Sequence, residues 1–148
     1  MKIATRESWK TVKPLPEKRA KLAYSRTFDA AEHARIVRGL VPEQMEDKWF
    51  VFWEEPWLWF HRSWTGIAIY GVRLEGTTVK EAWVNRAPEE YAATDDAHDA
   101  AILAFLVDRL LLGRDVPFPV RASFPEAKRD LLVHVVVGRG KTNDDDSN

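Results

Sequence analysis

The sequence contains no cysteine and no long apolar run, its first ten residues do not have the pattern of a secretory signal, and each absence argues against a class of protein. Without cysteine among its 148 residues the chain has no disulfide, thiolate nucleophile or cysteine-ligated zinc or iron–sulfur site. No stretch approaches the roughly 18 apolar residues of a membrane span. The N-terminus "MKIATRESWK" lacks the apolar segment of a secretory signal. We therefore expect a soluble, cytoplasmic protein that has no contact with membranes.

The well-known catalytic motifs are missing as well. The chain has no glycine-rich phosphate loop, no G-x-S-x-G and no H-E-x-x-H, which disfavours common kinases, serine hydrolases and zinc proteases. The stretch "DDAHD" places Asp95, His98 and Asp99 one helical turn apart, a spacing that a metal can use. Acidic residues in the first turn of a helix are favoured by its dipole without any metal. We therefore predict no metal site, and the sequence identifies no cofactor.

Charge is unevenly distributed along the chain although the net charge is only −1. Residues 1–21 hold seven Lys or Arg against two Glu, a net charge of +5, which leaves −6 for residues 22–148. A basic arm with two prolines is typical of a solvated lead-in segment, so the sequence argues against nucleic acid as a partner. We predict a flexible basic arm over residues 1–21, a single domain over 22–138 and a disordered acidic tail over 139–148.

Tryptophan is abundant, and most of it lies in a region with the composition of a sheet. Five of the seven tryptophans fall within residues 49–64. Runs rich in aromatic and β-branched residues, which favour strands, alternate with short turns. These runs cover residues 48–54, 57–64, 66–75 and 77–86. Links this short join antiparallel neighbours, so we predict a four-stranded antiparallel meander over about 48–86.

One helix is predicted before the sheet in the sequence and another after it. A short N-terminal helix spans about 30–38, where Asp29 and Glu32 form a capping box. A long helix spans about 95–112 and begins after Thr94, which can cap it. Because this second helix is apolar on nearly every side, we expect it to pack on the sheet.

The C-terminal region allows two readings. Ser123 and Glu126 can form another capping box, which favours a C-terminal helix over about 124–137. Alternatively, the valine-rich residues 131–137 form a strand, since periodicity does not separate short buried helices from buried strands. Either reading keeps the fold class α+β.

Polar residues fall at fixed places in the predicted sheet. Two-residue turns put His61 opposite Tyr70, and Tyr70 opposite Glu81, on one face of the sheet. Histidine titrates near neutrality and tyrosine donates or accepts, so the three could form a catalytic proton relay. Alternatively, they are cross-strand contacts that satisfy a buried histidine.

The other face carries an arginine among aromatic rings. The guanidinium of Arg62 can stack on indole and still offer its fork to a carboxylate or phosphate. Alternatively, it stiffens the sheet while bonded to a nearby carboxylate. The predicted ligand-binding residues are Arg62, Ser63, Thr65, Trp49, Trp53 and Trp64.

The stretch "MEDKWFVFWEEPWLWFHRSWTGIAIYGVRLE", residues 45–75, resembles a pattern found in uncharacterised bacterial proteins. The shared block reads DKWF…HRSWTG and covers residues 47–66. The resemblance implies a small cytoplasmic bacterial protein and carries no activity, substrate or partner. Its defining residues here are Lys48, Trp49, His61, Arg62, Ser63, Trp64, Thr65 and Gly66.

These features lead to three hypotheses about function. The first is a binding domain whose aromatic and arginine-bearing sheet face recognises an anionic small molecule, such as a nucleotide or an ADP-ribose-like group. The second is a protein-interaction module, such as an immunity protein, antitoxin or regulatory partner, that docks through its tryptophans. The third is a hydrolase or transferase that uses His61. A homodimer is compatible with all three.

Overall fold

The structure, a computed structural model, describes residues 3–119. Its centre is one antiparallel sheet of five strands in the order β1-β5-β4-β3-β2. The strands are β1 (Arg19–Lys21), β2 (Trp49–Glu54), β3 (Trp57–Arg62), β4 (Ala68–Glu75) and β5 (Thr78–Asn85). The predicted meander corresponds to β2 through β5.

The prediction of a four-stranded sheet is wrong, because the basic arm supplies a fifth strand. Ala20 of β1 pairs with Val84 of β5, so β1 lies at the edge of the sheet. Residues 19–21 are therefore ordered as a strand, which a flexible arm over 1–21 does not describe. A three-residue strand has too few positions to show alternation, and its pairing depends on an edge formed more than 60 residues later.

The helices begin close to where the sequence places them. Helix α1 (Ala30–Ile36) has the predicted capping box, in which the Asp29 carboxylate accepts from the backbone N–H of Glu32 at 2.8 Å. Helix α2 (Asp96–Leu106) continues as one π-helical turn, Val107–Leu111. Its cap is Asp95 rather than Thr94, since the Asp95 carboxylate accepts from a backbone N–H of the first turn at 3.0 Å.

The remaining C-terminal predictions lie outside the described residues. They are the helix over 124–137, its strand alternative and the acidic tail over 139–148. Within residues 3–119, no helix combines the length and the apolar character needed to cross a membrane.

The two faces of the sheet are covered by different parts of the chain. Helix α2 covers the face that carries Val51 and Phe60, and its Leu103 and Leu106 are fully buried there. Each buried leucine contributes about 1.5–3 kcal/mol relative to an exposed one. We call this the helix-side face and the other the opposite face.

The N-terminal segment, residues 3–13, covers the β2 and β3 end of the opposite face. The Trp9 ring stacks on Phe50 with centroids 5.8 Å apart, and its indole N–H donates to the Ser63 carbonyl at 2.7 Å. Arg6 forms an ion pair with Glu54 at 2.7 Å. The segment that the sequence treats as a lead-in is thus part of the protein core.

Candidate functional site

His61, Tyr70 and Glu81 are not brought together, because the strand register differs from the predicted one. Tyr70 lies opposite Phe60, and a bulge then sets His61 opposite Ala68. This one-residue shift moves Tyr70 to the helix-side face while His61 stays on the opposite face. Glu81 lies opposite Arg73, to which it is ion-paired at 2.6 Å. The prediction that His61, Tyr70 and Glu81 lie side by side across three strands is therefore wrong.

His61 is a buried histidine held by one backbone contact. Only 2% of its surface is exposed, and its ring stacks on Phe52 at 5.4 Å. Its Nδ1 lies 2.9 Å from the Gly66 carbonyl, which can only accept, so Nδ1 carries the proton of the neutral ring. Burial lowers the pKa of His61 below its usual value of 6.5, against the hydrogen bond to Gly66.

The free energy of unfolding is expected to decrease as the pH is lowered through the range where His61 titrates. In the unfolded chain His61 gains a proton below about pH 6.5, while in the folded protein its lowered pKa resists protonation. The free energy of unfolding should therefore drop between about pH 7 and 5.5, by at most about 1.4 kcal/mol per pH unit. Urea unfolding of wild type and His61→Gln at several pH values measures this slope. An equal slope in the two proteins would contradict the assignment to His61.

The polar residues after His61 serve to build the β3–β4 turn. The Ser63 hydroxyl donates to the Asp47 carbonyl at 2.6 Å, and the Thr65 hydroxyl accepts from the backbone N–H of Ile67 at 3.2 Å. Both hydroxyls predicted to contact a ligand thus already have backbone partners. Trp64 points outward, with 65% of its surface exposed and its indole N–H bonded to the Met45 carbonyl at 2.9 Å.

Arg62 and Trp49 form the predicted arginine–tryptophan pair. They lie directly opposite each other on β3 and β2, and the guanidinium carbon is 4.9 Å from the Trp49 ring centroid. Trp49 is buried and Arg62 half-buried. The other predicted rings do not join them: Trp53 packs edge-on against His33 at 6.0 Å, and Trp64 lies under the ammonium group of Lys48.

No carboxylate neutralises Arg62 within residues 3–119. The ion pairs of this part of the chain engage other arginines and one lysine, and none includes Arg62. Charged groups that are withdrawn from water are usually paired. A half-buried guanidinium that is fixed on a ring and has no counter-ion among the described residues has the chemistry of an anion site.

A buried carboxylate, Asp99 of α2, lies close to this pair and was missed by the sequence prediction. Its Oδ1 accepts from the hydroxyls of Tyr70 at 2.7 Å and Tyr91 at 2.6 Å. Its Oδ2 accepts from the guanidinium of Arg86 at 2.8 Å. The Tyr70 ring in turn stacks on Trp49 at 6.0 Å, which connects the carboxylate to the arginine site.

The two tyrosines are hydrogen-bond donors at any physiological pH. Burial raises the pKa of Tyr91 to about 12, with a further contribution from its bond to Asp99. Burial also raises the pKa of Tyr70 well above 10, and the neighbouring Tyr91 and Asp99 act in the same direction. The positive charge of Arg62 acts in the opposite direction on the pKa of Tyr91.

In the sequence, Asp99 has a local explanation and no visible partner. An aspartate in the first turn of a helix needs no further reason, and Tyr91 and Arg86 lie in the connection before α2. Their convergence depends on how α2 docks on β4, which no spacing along the chain reveals.

Comparison with known proteins does not identify the function of this site. No protein family, curated protein or solved structure matches the chain. Within residues 3–119, no three side chains of the types that bind metals are grouped so that they could hold an ion.

Proposed function

We propose that the protein binds a small anionic ligand, of the nucleotide or phosphorylated class, at Arg62. The observation that supports the proposal is the half-buried guanidinium, held 4.9 Å over Trp49 and without a carboxylate partner among residues 3–119. Stacking fixes the plane of the guanidinium, so its N–H groups are organised for a planar or tetrahedral anion before the ligand arrives.

The nearby carboxylate does not oppose such a ligand. Arg86 and two tyrosyl hydroxyls donate to Asp99 and offset its negative charge. The Tyr91 hydroxyl donates to Asp99 and also interacts with the Tyr70 hydroxyl, so both phenols are engaged within the network. The guanidinium of Arg62 can therefore meet an anion without an uncompensated carboxylate beside it.

Thermal melting against nucleotides, ADP-ribose and sugar phosphates tests the proposal. A ligand at about 100 times its Kd should raise the Tm of wild type by roughly 5–10 °C, because it binds only the native state. Arg62→Ala should abolish the shift and Arg62→Lys should weaken it, since lysine lacks the planar fork. Arg35→Ala, which removes an exposed arginine of α1, should keep it. A panel that leaves wild type unshifted, or an equal shift in Arg62→Ala, would refute the proposal.

A protein-interaction function is the second candidate, and a separate surface favours it. Met45 and Trp64 are 74% and 65% exposed and adjoin each other through the indole hydrogen bond to the Met45 carbonyl. Exposed tryptophan and methionine are enriched in interface centres. In that case Trp64→Ala weakens a protein complex, while Arg62→Ala and the small-molecule panel have no effect on it.

A further inference from the structure

The opposite face of the sheet continues beyond the N-terminal segment as a surface of half-buried tryptophans and charged side chains. We call it the tryptophan face. It spans β3, β4, β5 and β1, on the side of the sheet away from α2 and Arg62. Its residues are Trp57, Trp59, Arg73, Glu81, Trp83, Arg19 and Lys21.

Trp59 and Trp57 form an aromatic platform at one end of this face. Their rings are nearly parallel, with centroids 5.0 Å apart and an interplanar angle of 13°. Trp59 lies across Gly71 of β4, where a Cβ atom would come within 2.5 Å of its ring. Glycine at position 71 thus lets the indole lie against the β4 backbone.

Two cations that form no ion pair among residues 3–119 lie at the other end. The guanidinium of Arg19 and the ammonium of Lys21 are 5.2 and 5.3 Å from the centroid of the Trp83 ring. Both side chains are exposed, and neither forms an ion pair in residues 3–119. The Trp83 ring therefore contacts two positive charges and holds them next to each other.

The charges in the middle of the face cancel. Glu81 accepts from the Trp83 indole at 2.9 Å and from Arg73 at 2.6 Å, and these two bonds lower its pKa. The ion pair offers both a donor and an acceptor but no net charge. The excess positive charge of the face is thus that of Arg19 and Lys21.

We propose that the tryptophan face binds single-stranded nucleic acid, with bases stacked on the Trp57 and Trp59 platform and phosphates at Arg19 and Lys21. Aromatic rings beside a basic track are what sequence-tolerant binding of single strands requires. The sequence argues against nucleic acid only while the basic residues 1–21 are taken as a solvated lead-in segment. In the structure Arg19 and Lys21 belong to β1, next to the rings.

The dimensions of the face favour a strand over a single nucleotide. Trp59 on β3 and Lys21 on β1 are three strand spacings apart, about 14 Å at the usual separation of neighbouring strands. The Lys21 ammonium lies over Trp83 of β5, two strand spacings or about 10 Å from β3, which is still longer than the reach from a base to its own phosphate. The two ends therefore take different nucleotides. An acidic peptide would supply negative charges for Arg19 and Lys21, but its residues do not each carry a ring that can stack on tryptophan. This proposal does not depend on a ligand at Arg62, which is on the helix-side face.

Fluorescence anisotropy with a fluorescein-labelled oligothymidylate of about 15 nucleotides tests the proposal, since single-strand sites cover up to about that length. Trp59→Ala should weaken binding about tenfold, while Trp59→Phe keeps an aromatic face and should stay within about threefold of wild type. Replacing both Arg19 and Lys21 with alanine should make the negative slope of log binding constant against log salt concentration shallower by about 1.4. Lys80→Ala, which removes an exposed lysine of β5, should leave binding unchanged.

Three outcomes would overturn the proposal. The first is an oligothymidylate that does not bind wild type at low salt, with circular dichroism showing a folded protein. The second is polyglutamate competing as well as the oligonucleotide at equal charge, which would make the surface a basic patch for acidic chains. The third is thymidine monophosphate competing equally at matched nucleotide concentration, which would reduce the site to one nucleotide.

Discussion

Asp99→Asn is expected to lower the free energy of unfolding by about 3–5 kcal/mol, the range for breaking a buried ion pair on one side. Asp99 is 1% exposed, and its carboxylate accepts from two tyrosyl hydroxyls and one guanidinium. An amide at this position places an N–H group where a donor already points, and it leaves Arg86 without its buried counter-ion. Urea unfolding followed by circular dichroism measures the loss.

Asp96→Asn is the matched control, because Asp96 pairs with the same guanidinium of Arg86 from the protein surface. The Asp96 side chain is 56% exposed, against 2% for Asp99. Solvent screens the outer pair, so its removal should cost less than about 1 kcal/mol. Equal losses in the two variants would mean that burial does not set the strength of this network.

Gly66→Ala is expected to destabilise the protein by about 3 kcal/mol or more, through two separate effects. Gly66 has a φ of +75°, a left-handed conformation that costs a non-glycine residue about 1–2 kcal/mol. An alanine Cβ would also lie 2.3 Å from the Thr11 carbonyl, so the N-terminal segment would have to move. Thermal or urea unfolding measures the total.

Gly76→Ala separates the two effects. Gly76 has a φ of +63°, but no atom lies within 4 Å of the Cβ position. This variant should therefore carry the backbone cost alone, about 1–2 kcal/mol. If the two alanine variants lose equal stability, the close approach of the N-terminal segment to Gly66 is not important for folding.

The features of the site that could be predicted depend on short separations along the chain. The two-residue turn at Glu55-Pro56 sets Trp49 opposite Arg62, as the structure bears out. Alternation along β2 and β3 then separates His61 from Arg62 onto opposite faces. The capping box of α1 is equally local, since Asp29 and Glu32 are three residues apart.

The features that could not be predicted involve irregular pairing or distant contacts. Both hairpin turns that flank β4 lie at other positions than predicted, and a bulge after Phe60 and another after Arg73 shift the register further, so Tyr70 meets neither His61 nor Glu81. A bulge adds one unpaired residue, and no residue type in these strands announces it. Tyr70 instead donates to Asp99, 29 residues further along the chain.

Local patterns in the sequence are enough to derive the α+β class, the four long strands, both helices among residues 3–119 and the pairing of Arg62 with Trp49. These follow from periodicity, caps and tight turns, which are set by neighbours a few residues apart. Three further features depend on long-range contacts: residues 19–21 complete the sheet, Asp99 is buried among donors and two cations lie beside the tryptophans. Their energies come from burial and charge between distant segments, which become neighbours only once the sheet has formed.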